Sequence, residues 1–262
     1  MEKLTLEKME ALGKLPLKVI QDASVASILA DDFACDPICA APLGAGAATG
    51  TGGDENICMT AKGNYRYHML GTQTIVGFSP NALGMKIDLD QTADDGVELV
   101  PFGITSNSPA AFTVGSDAAF YARCRLYITD VSGTDDLAFG FRKLEAFQAN
   151  IDDYDEMAAI NLISGDIKIE TILNGGATST TDTTDNVADL AIIDLYVEVS
   201  NAGVVTFKHG LNGGLAAPTV TASFTFDSAE VVVPFLYFLH ATDVASGVYI
   251  SKWEVGYVSE QN

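Results

Sequence analysis

From Phe120 onward the chain alternates. Phe120, Ala122, Cys124, Leu126 and Ile128 are apolar or small, and Tyr121, Arg123, Arg125 and Tyr127 fall between them. A period of two places successive side chains on opposite faces of a strand, so one face of this segment is core and the other meets water. Similar patterns recur over Leu137–Lys143, Asp166–Ile172, Ala191–Val199, Val204–His209, Thr219–Phe226, Val231–His240 and Val248–Val258, with Gly, Asn, Asp and Ser clusters between them. Short strands at this spacing predict an all-β fold, a two-sheet antiparallel sandwich.

Two segments define the pattern best. The Ser200-Asn-Ala-Gly203 turn joins two alternating strands, a hairpin signal, and a second turn follows at Gly210 to Gly214. In the last strand the alternation puts Tyr249, Trp253, Val255 and Tyr257 on one face and Ile250, Lys252 and Glu254 on the other, with Trp253 in the core. Met85 to Pro101 reads as a strand, an acidic turn at Ala93 to Gly96, and a second strand. The Thr/Ser/Asp run from Ala177 to Asp185 reads as a long polar loop, and Glu145 to Ile160 as the main place in the body for a helical turn.

Residues 1 to 60 differ. They contain one aromatic, Phe33, and carry the run from Pro42 to Gly53, which is too rich in glycine to propagate a helix or build a core. The expected division is an extended, largely irregular N-terminal arm over 1–60 and a sandwich body over 61–262. Thr5 is placed to cap a short helix that stops at Gly13 and Pro16. Leu4, Leu6, Met9, Leu12, Leu15 and Leu17 are the residues such an arm would lay against another subunit. A disordered terminus fits the same stretch equally well.

Charge narrows the partners. The 262 residues carry a formal net charge of −21. Nucleic acid and anionic membranes are repelled at every distance inside a Debye length. No run of about 18 apolar residues reads as a membrane span, and the first residues lack the basic and apolar regions of a signal peptide. The four cysteines, Cys35, Cys39, Cys58 and Cys124, are too few for a disulfide scaffold. Cys35, Cys39, Cys58 and His68 supply four zinc-type ligands, but the 18 residues between Cys39 and Cys58 are looser than zinc-ligand pairs usually are. Free thiols are the preferred reading, with no metal and no cofactor.

No catalytic constellation is legible. Glycoside hydrolysis needs two carboxylates roughly 5 to 10 Å apart, and no strand carries the spaced acids that would supply them. The densest acidic group, Asp152, Asp153, Asp155 and Glu156, reads as a solvated loop and lacks the spacing of a calcium loop. His68, His209 and His240 are scattered, and no Gly-x-Ser-x-Gly elbow accompanies them. The glycine runs at 44–53 and 210–214 lack the Lys-Ser/Thr of a phosphate loop. Sugar binding fits better, because Tyr65, Tyr67, Tyr121, Tyr127 and Tyr249 lie on strand-like segments, where rings can stack on a saccharide.

Three segments together resemble bacteriophage virion proteins built on a concanavalin-A or laminin-G-like jelly-roll sandwich. They are Ile87 to Val100, Leu195 to Phe207, and the ending Val233-Pro-Phe-Leu-Tyr-Phe-Leu-His240 followed by Lys252-Trp-Glu-Val-Gly-Tyr257. The resemblance covers roughly residues 85 to 258 and rests on strands and turns alone. It implies a capsid decoration, or cement, protein on the virion surface, made in the host cytoplasm. Its partners would be the major capsid protein and neighbouring copies of itself in a homo-oligomer. The alternative is a carbohydrate-binding tail or surface module of lectin type. Neither is an enzyme.

Overall fold

The computed structural model describes residues 27–32, 50–51, 55–59, 64–73, 76–90, 92–241 and 247–258. Among these residues the chain forms eighteen strands. They are β1 (Ser27–Asp32), β2 (Gly50–Thr51), β3 (Glu55–Met59), β4 (Asn64–Leu70), β5 (Thr72–Gln73), β6 (Val76–Asn81), β7 (Gly84–Leu89), β8 (Gly96–Pro101) and β9 (Phe112–Thr113). There follow β10 (Phe120–Ile128), β11 (Thr134–Lys143), β12 (Met157–Ile163), β13 (Asp166–Ile172), β14 (Ser179–Asn186), β15 (Ala191–Val199), β16 (Val205–Leu211), β17 (Val231–His240) and β18 (Val248–Tyr257).

Two antiparallel sheets form the sandwich. One has seven strands in the order β16-β15-β10-β18-β7-β6, with β1 sharing the edge of β18 that β7 also uses. The other has nine, in the order β14-β13-β12-β11-β17-β8-β4-β3, with β9 beside β17. Strands β7 and β8, separated by the acidic turn, belong to different sheets, so this turn carries the chain across the sandwich. The hairpin at Ser200 to Gly203 joins β15 to β16 as the turn residues require, with Gly203 at φ 84°, where a side chain would be strained. Within the stretch expected as an arm, β1 pairs with β18 and β3 with β4. Leu4, Leu6, Met9, Leu12, Leu15 and Leu17, and the short helix expected there, lie outside the described residues.

The core fills the space between the sheets. Phe120, Ala122, Cys124, Leu126 and Ile128 are fully buried, as the alternation requires. Trp253 is buried at the centre, its ring centroid 5.3 Å from Tyr65 and 5.4 Å from Phe139. Burying such rings removes large apolar areas from water, and truncating one to alanine costs about 3–5 kcal/mol. A second, smaller cluster covers the outer face of the nine-stranded sheet. There Phe147, Ile151 and Tyr154, from the segment between β11 and β12, pack with Val100, Ala138, Ala159, Phe235 and Tyr237. Beneath them Arg142 and Glu98, both fully buried, pair at 2.6 Å, and the Tyr154 hydroxyl donates to the same carboxylate.

Several sequence expectations change. In β18 the register slips opposite Arg125 and Leu126, so Ser251 is an extra residue. The bulge reverses the alternation on its N-terminal side, so Ile250 turns into the core and Tyr249 turns outward. The polar run at 177–185 is mostly the edge strand β14, where only Thr183 is fully buried and the other side chains meet solvent. Thr219–Phe226 is not a strand but part of a strap, 216–226, that runs along β16 and is tied by the isolated bridges Val204↔Thr225 and His209↔Ala216. The 145–160 region holds a single 3₁₀ turn at Ile151–Asp153 before β12 begins. Of the acidic group, Glu156 is fully buried and not solvated.

Candidate functional site

The outer face of the seven-stranded sheet collects the side chains that the core rejects. On β10, Tyr121, Arg123, Arg125 and Tyr127 point away from the core and are half-buried. Pairing with β15 brings Glu198, Tyr196, Asp194 and Ile192 beside them in that order. Pairing with β18 brings Glu254 beside Arg123, Lys252 beside Arg125 and Tyr249 beside Tyr127. Lys208 on β16 lies opposite Tyr196, and Lys86 on β7 lies opposite Tyr249.

These neighbours hold one another. Asp194 is fully buried beneath two guanidinium groups: Arg123 donates to Oδ1 from Nε and Nη2 at 3.1 and 2.7 Å, and Arg125 donates to Oδ2 from Nε at 3.0 Å. Both arginines remain 27% exposed. Charge-assisted bonds of this kind are short and directional, so the carboxylate fixes both guanidinium groups in the plane of the face. Tyr121 and Tyr196 stack at 5.5 Å, Lys208 lies 5.0 Å over the Tyr196 ring, and Tyr127 meets Tyr249 edge-on at 5.6 Å. Burial, and then Glu254, push the Tyr121 phenol up to about 12, so it stays a neutral donor. The Tyr196 hydroxyl donates to Glu198 at 2.7 Å, and Lys86 pairs with Asp88 at 2.5 Å. Four rings and their charged neighbours thus form one continuous surface, and Tyr121 to Tyr127 spans roughly 20 Å at about 3.3 Å per residue.

A second feature is a recess of about 360 Å³ at the open side of the sandwich, between β14 and β16. His209 Nε2 lies 3.0 Å from Asp185 Oδ2, while Thr219 donates to the same carboxylate from its backbone N–H at 2.8 Å and from its hydroxyl at 2.6 Å. The hydroxyl is committed to the carboxylate and not to the imidazole, so the trio is not assembled as a nucleophile and base. Its role is to pin the 216–226 strap to β14. Gly210 lies at the rim, where a Cβ would stand 1.8 Å from the Gly214 carbonyl oxygen, so only glycine lets the turn fold back this tightly.

The remaining expected sites scatter. Tyr65 and Tyr67 are buried in the core and offer no ring to a ligand. His68 is buried and stacked on Phe147 at 5.0 Å. His240 is buried at the end of β17, and burial pushes its pKa down. Cys35 and Cys39 lie outside the described residues, and Cys124 is a buried free thiol. Among the described residues no group of three or more His, Cys, Asp or Glu side chains is placed to hold a metal ion. No helix among them is long and apolar enough to cross a membrane.

The chain is thus a two-sheet antiparallel sandwich. No family model and no curated protein matches its sequence. Solved structures resemble its fold. The lectin UEA-II, complexed with galactose, is 12% identical, with 73% of this chain and 92% of that one covered and a TM-score of 0.48. The exoplasmic/lumenal domain of VIP36 in its Ca²⁺-bound form is 8% identical, with 76% and 85% covered and a TM-score of 0.49. An alginate lyase from Pseudomonas aeruginosa is 14% identical, with 69% and 85% covered and a TM-score of 0.46. The likeness at these identities is one of fold alone.

Proposed function

We propose that this chain is a non-enzymatic carbohydrate-binding module that holds a saccharide along the outer face of the seven-stranded sheet. One observation carries the reading: Tyr121, Tyr127, Tyr196 and Tyr249 converge on that face from three strands, each half-buried, with arginines fixed between them. Rings held in this way lose little freedom on binding, and they offer apolar faces to the C–H side of a sugar while their hydroxyls and the guanidinium groups meet its oxygens. The carboxylates of the face are tied up by neighbours, Asp194 by two arginines and Glu198 by Tyr196, which suits binding better than acid–base chemistry.

The shell-decoration role expected from the sequence puts its contacts on Leu4 to Leu17, outside the described residues, and nothing in the described residues favours it. The test is a glycan array probed with the full chain, followed by titration of Tyr127→Ala and Tyr249→Ala. Each substitution is expected to weaken binding about ten-fold, equivalent to about 1.4 kcal/mol, with the melting temperature little changed. An array without a binder, or full affinity in the Tyr127→Ala/Tyr249→Ala double variant, removes this face as the site.

A further inference from the structure

The charges of the outer face cancel within it. Five cations, Lys86, Arg123, Arg125, Lys208 and Lys252, and five acids, Asp32, Asp88, Asp194, Glu198 and Glu254, occupy the outward register positions of its paired strands. Arg123 pairs with Asp194 at 2.7 Å and reaches Glu254 at 3.9 Å, Arg125 shares Asp194 at 3.0 Å, and Lys86 holds Asp88 at 2.5 Å. Lys252 lies in register with Asp32, while Lys208 and Glu198 flank Tyr196, one over its ring and the other on its hydroxyl. The formal charges of the face therefore sum to zero on a molecule of net charge −21. What the face still offers is N–H donors. Arg123 and Arg125 remain 27% exposed, and Asp194 takes three bonds from two groups that carry five N–H donors apiece.

We infer that the saccharide bound here is a neutral polysaccharide, lying lengthwise across both ring pairs, and that chains bearing carboxylates or amines are turned away. The inference rests on the carbohydrate-binding reading above and names its ligand class. A carboxylate finds no net charge in guanidinium groups that Asp194 and Glu254 already neutralise, gives up its hydration, and meets an acidic remainder. An ammonium is drawn by that remainder, but at the face it meets acids already held by cations and a row of N–H groups that cannot accept its protons. Hydroxyl and ring oxygens accept from those N–H groups without bringing a charge to be desolvated, and the C–H faces of the same sugars lie against the rings. Length follows from placement. Tyr121 with Tyr196, and Tyr127 with Tyr249, stand at the two ends of β10 with Arg123 and Arg125 between them. The ends lie roughly 20 Å apart along the strand, farther than a disaccharide reaches. A short sugar fills one ring pair, whereas an extended chain fills both and makes its second contact at high effective concentration.

The experiment uses the full chain at about 0.1 M salt and titrates galactomannan, dextran and hydroxyethylcellulose, each also as its carboxymethyl and its quaternary-ammonium derivative. At least one neutral polymer is expected to bind, about ten-fold more tightly than its carboxymethyl derivative. Glu254→Gln, which uncovers one guanidinium charge, should raise the ratio of carboxymethyl to neutral affinity about three-fold, a change that lost packing alone does not produce. Oligosaccharides cut from the bound backbone should gain affinity steeply once they reach from Tyr121 to Tyr127. Equal or tighter binding of the carboxymethyl polymer overturns the neutral ligand and leaves carbohydrate binding standing. So does tighter binding of the ammonium polymer that is lost in the Tyr127→Ala/Tyr249→Ala variant. Full affinity for a disaccharide overturns the lengthwise placement. Binding of no polymer overturns the inference, and an empty glycan array beside it overturns the carbohydrate-binding reading as well.

Discussion

Glu156 is where a single side chain carries the most unsettled chemistry. Its carboxylate is buried, and the backbone N–H of Asp227 offsets the burial only in part. Burial first, then Glu230 and Asp227 against the opposing Lys143, push its pKa up from 4.5 to about 7. The sign of the consequence is fixed. Below pH 4.5 the carboxyl is neutral whether the chain is folded or not. Between 4.5 and 7 the unfolded chain gives up this proton and the folded one keeps it, so stability falls as pH rises, and above 7 the loss is complete. Glu156→Gln removes the titration. Its melting temperature, relative to the parent protein, is expected to rise by roughly 2–4 °C for each kcal/mol recovered as pH increases from 4.5 to 8. Thermal melts by circular dichroism across that range decide it, since a difference that does not change with pH means that Glu156 is not held neutral.

At the scale of elements, the edge of the sandwich depends on Asp185. Its carboxylate ties β14 to His209 on β16 and to Thr219 on the strap, and the Thr219 hydroxyl and N–H hold its pKa below the ordinary carboxylate value. A lowered acid pKa contributes stability above the unfolded value, and the contribution is lost as pH falls through the folded one. Asp185→Ala is therefore expected to loosen the strap at neutral pH by about 1 kcal/mol. Hydrogen exchange should read this as faster exchange at Thr219 and Val220, with β10 and β15 unchanged, and uniform acceleration would refute a local role. The same edge separates what the sequence discloses from what it withholds. Strands such as β10 and β17 are legible because burial imposes a pattern on them, strict alternation on β10 and a continuous apolar run on β17. Strand β14 is not, because an edge strand of Thr and Asp has no buried face to impose a pattern. Tyr249 was assigned to the wrong face because the Ser251 bulge depends on the register with β10, more than 120 residues away in sequence. Tyr121, Tyr127 and Tyr249 were legible as candidates. Tyr196, and the Asp194 clamp on Arg123 and Arg125, were missed because they arise from a pairing of strands about 70 residues apart.

Over the whole molecule two electrostatic ranges compete, and salt separates them. At about 0.01 M salt the Debye length is about 30 Å, so an approaching polyanion feels the full acidic chain. At about 0.1 M it shortens to about 10 Å, which screens the far acids. At 1 M it is about 3 Å, and the contact pairs weaken too. A saccharide bearing carboxylates is therefore expected to bind more weakly at about 0.01 M than at about 0.1 M salt, the reverse of a uniformly basic protein. A neutral saccharide held by the tyrosines alone would show almost no salt dependence. Titrations of a neutral and a carboxylated saccharide at three ionic strengths check this: an affinity for the carboxylated one that falls steadily as salt rises means that the face attracts anions and refutes its charge balance.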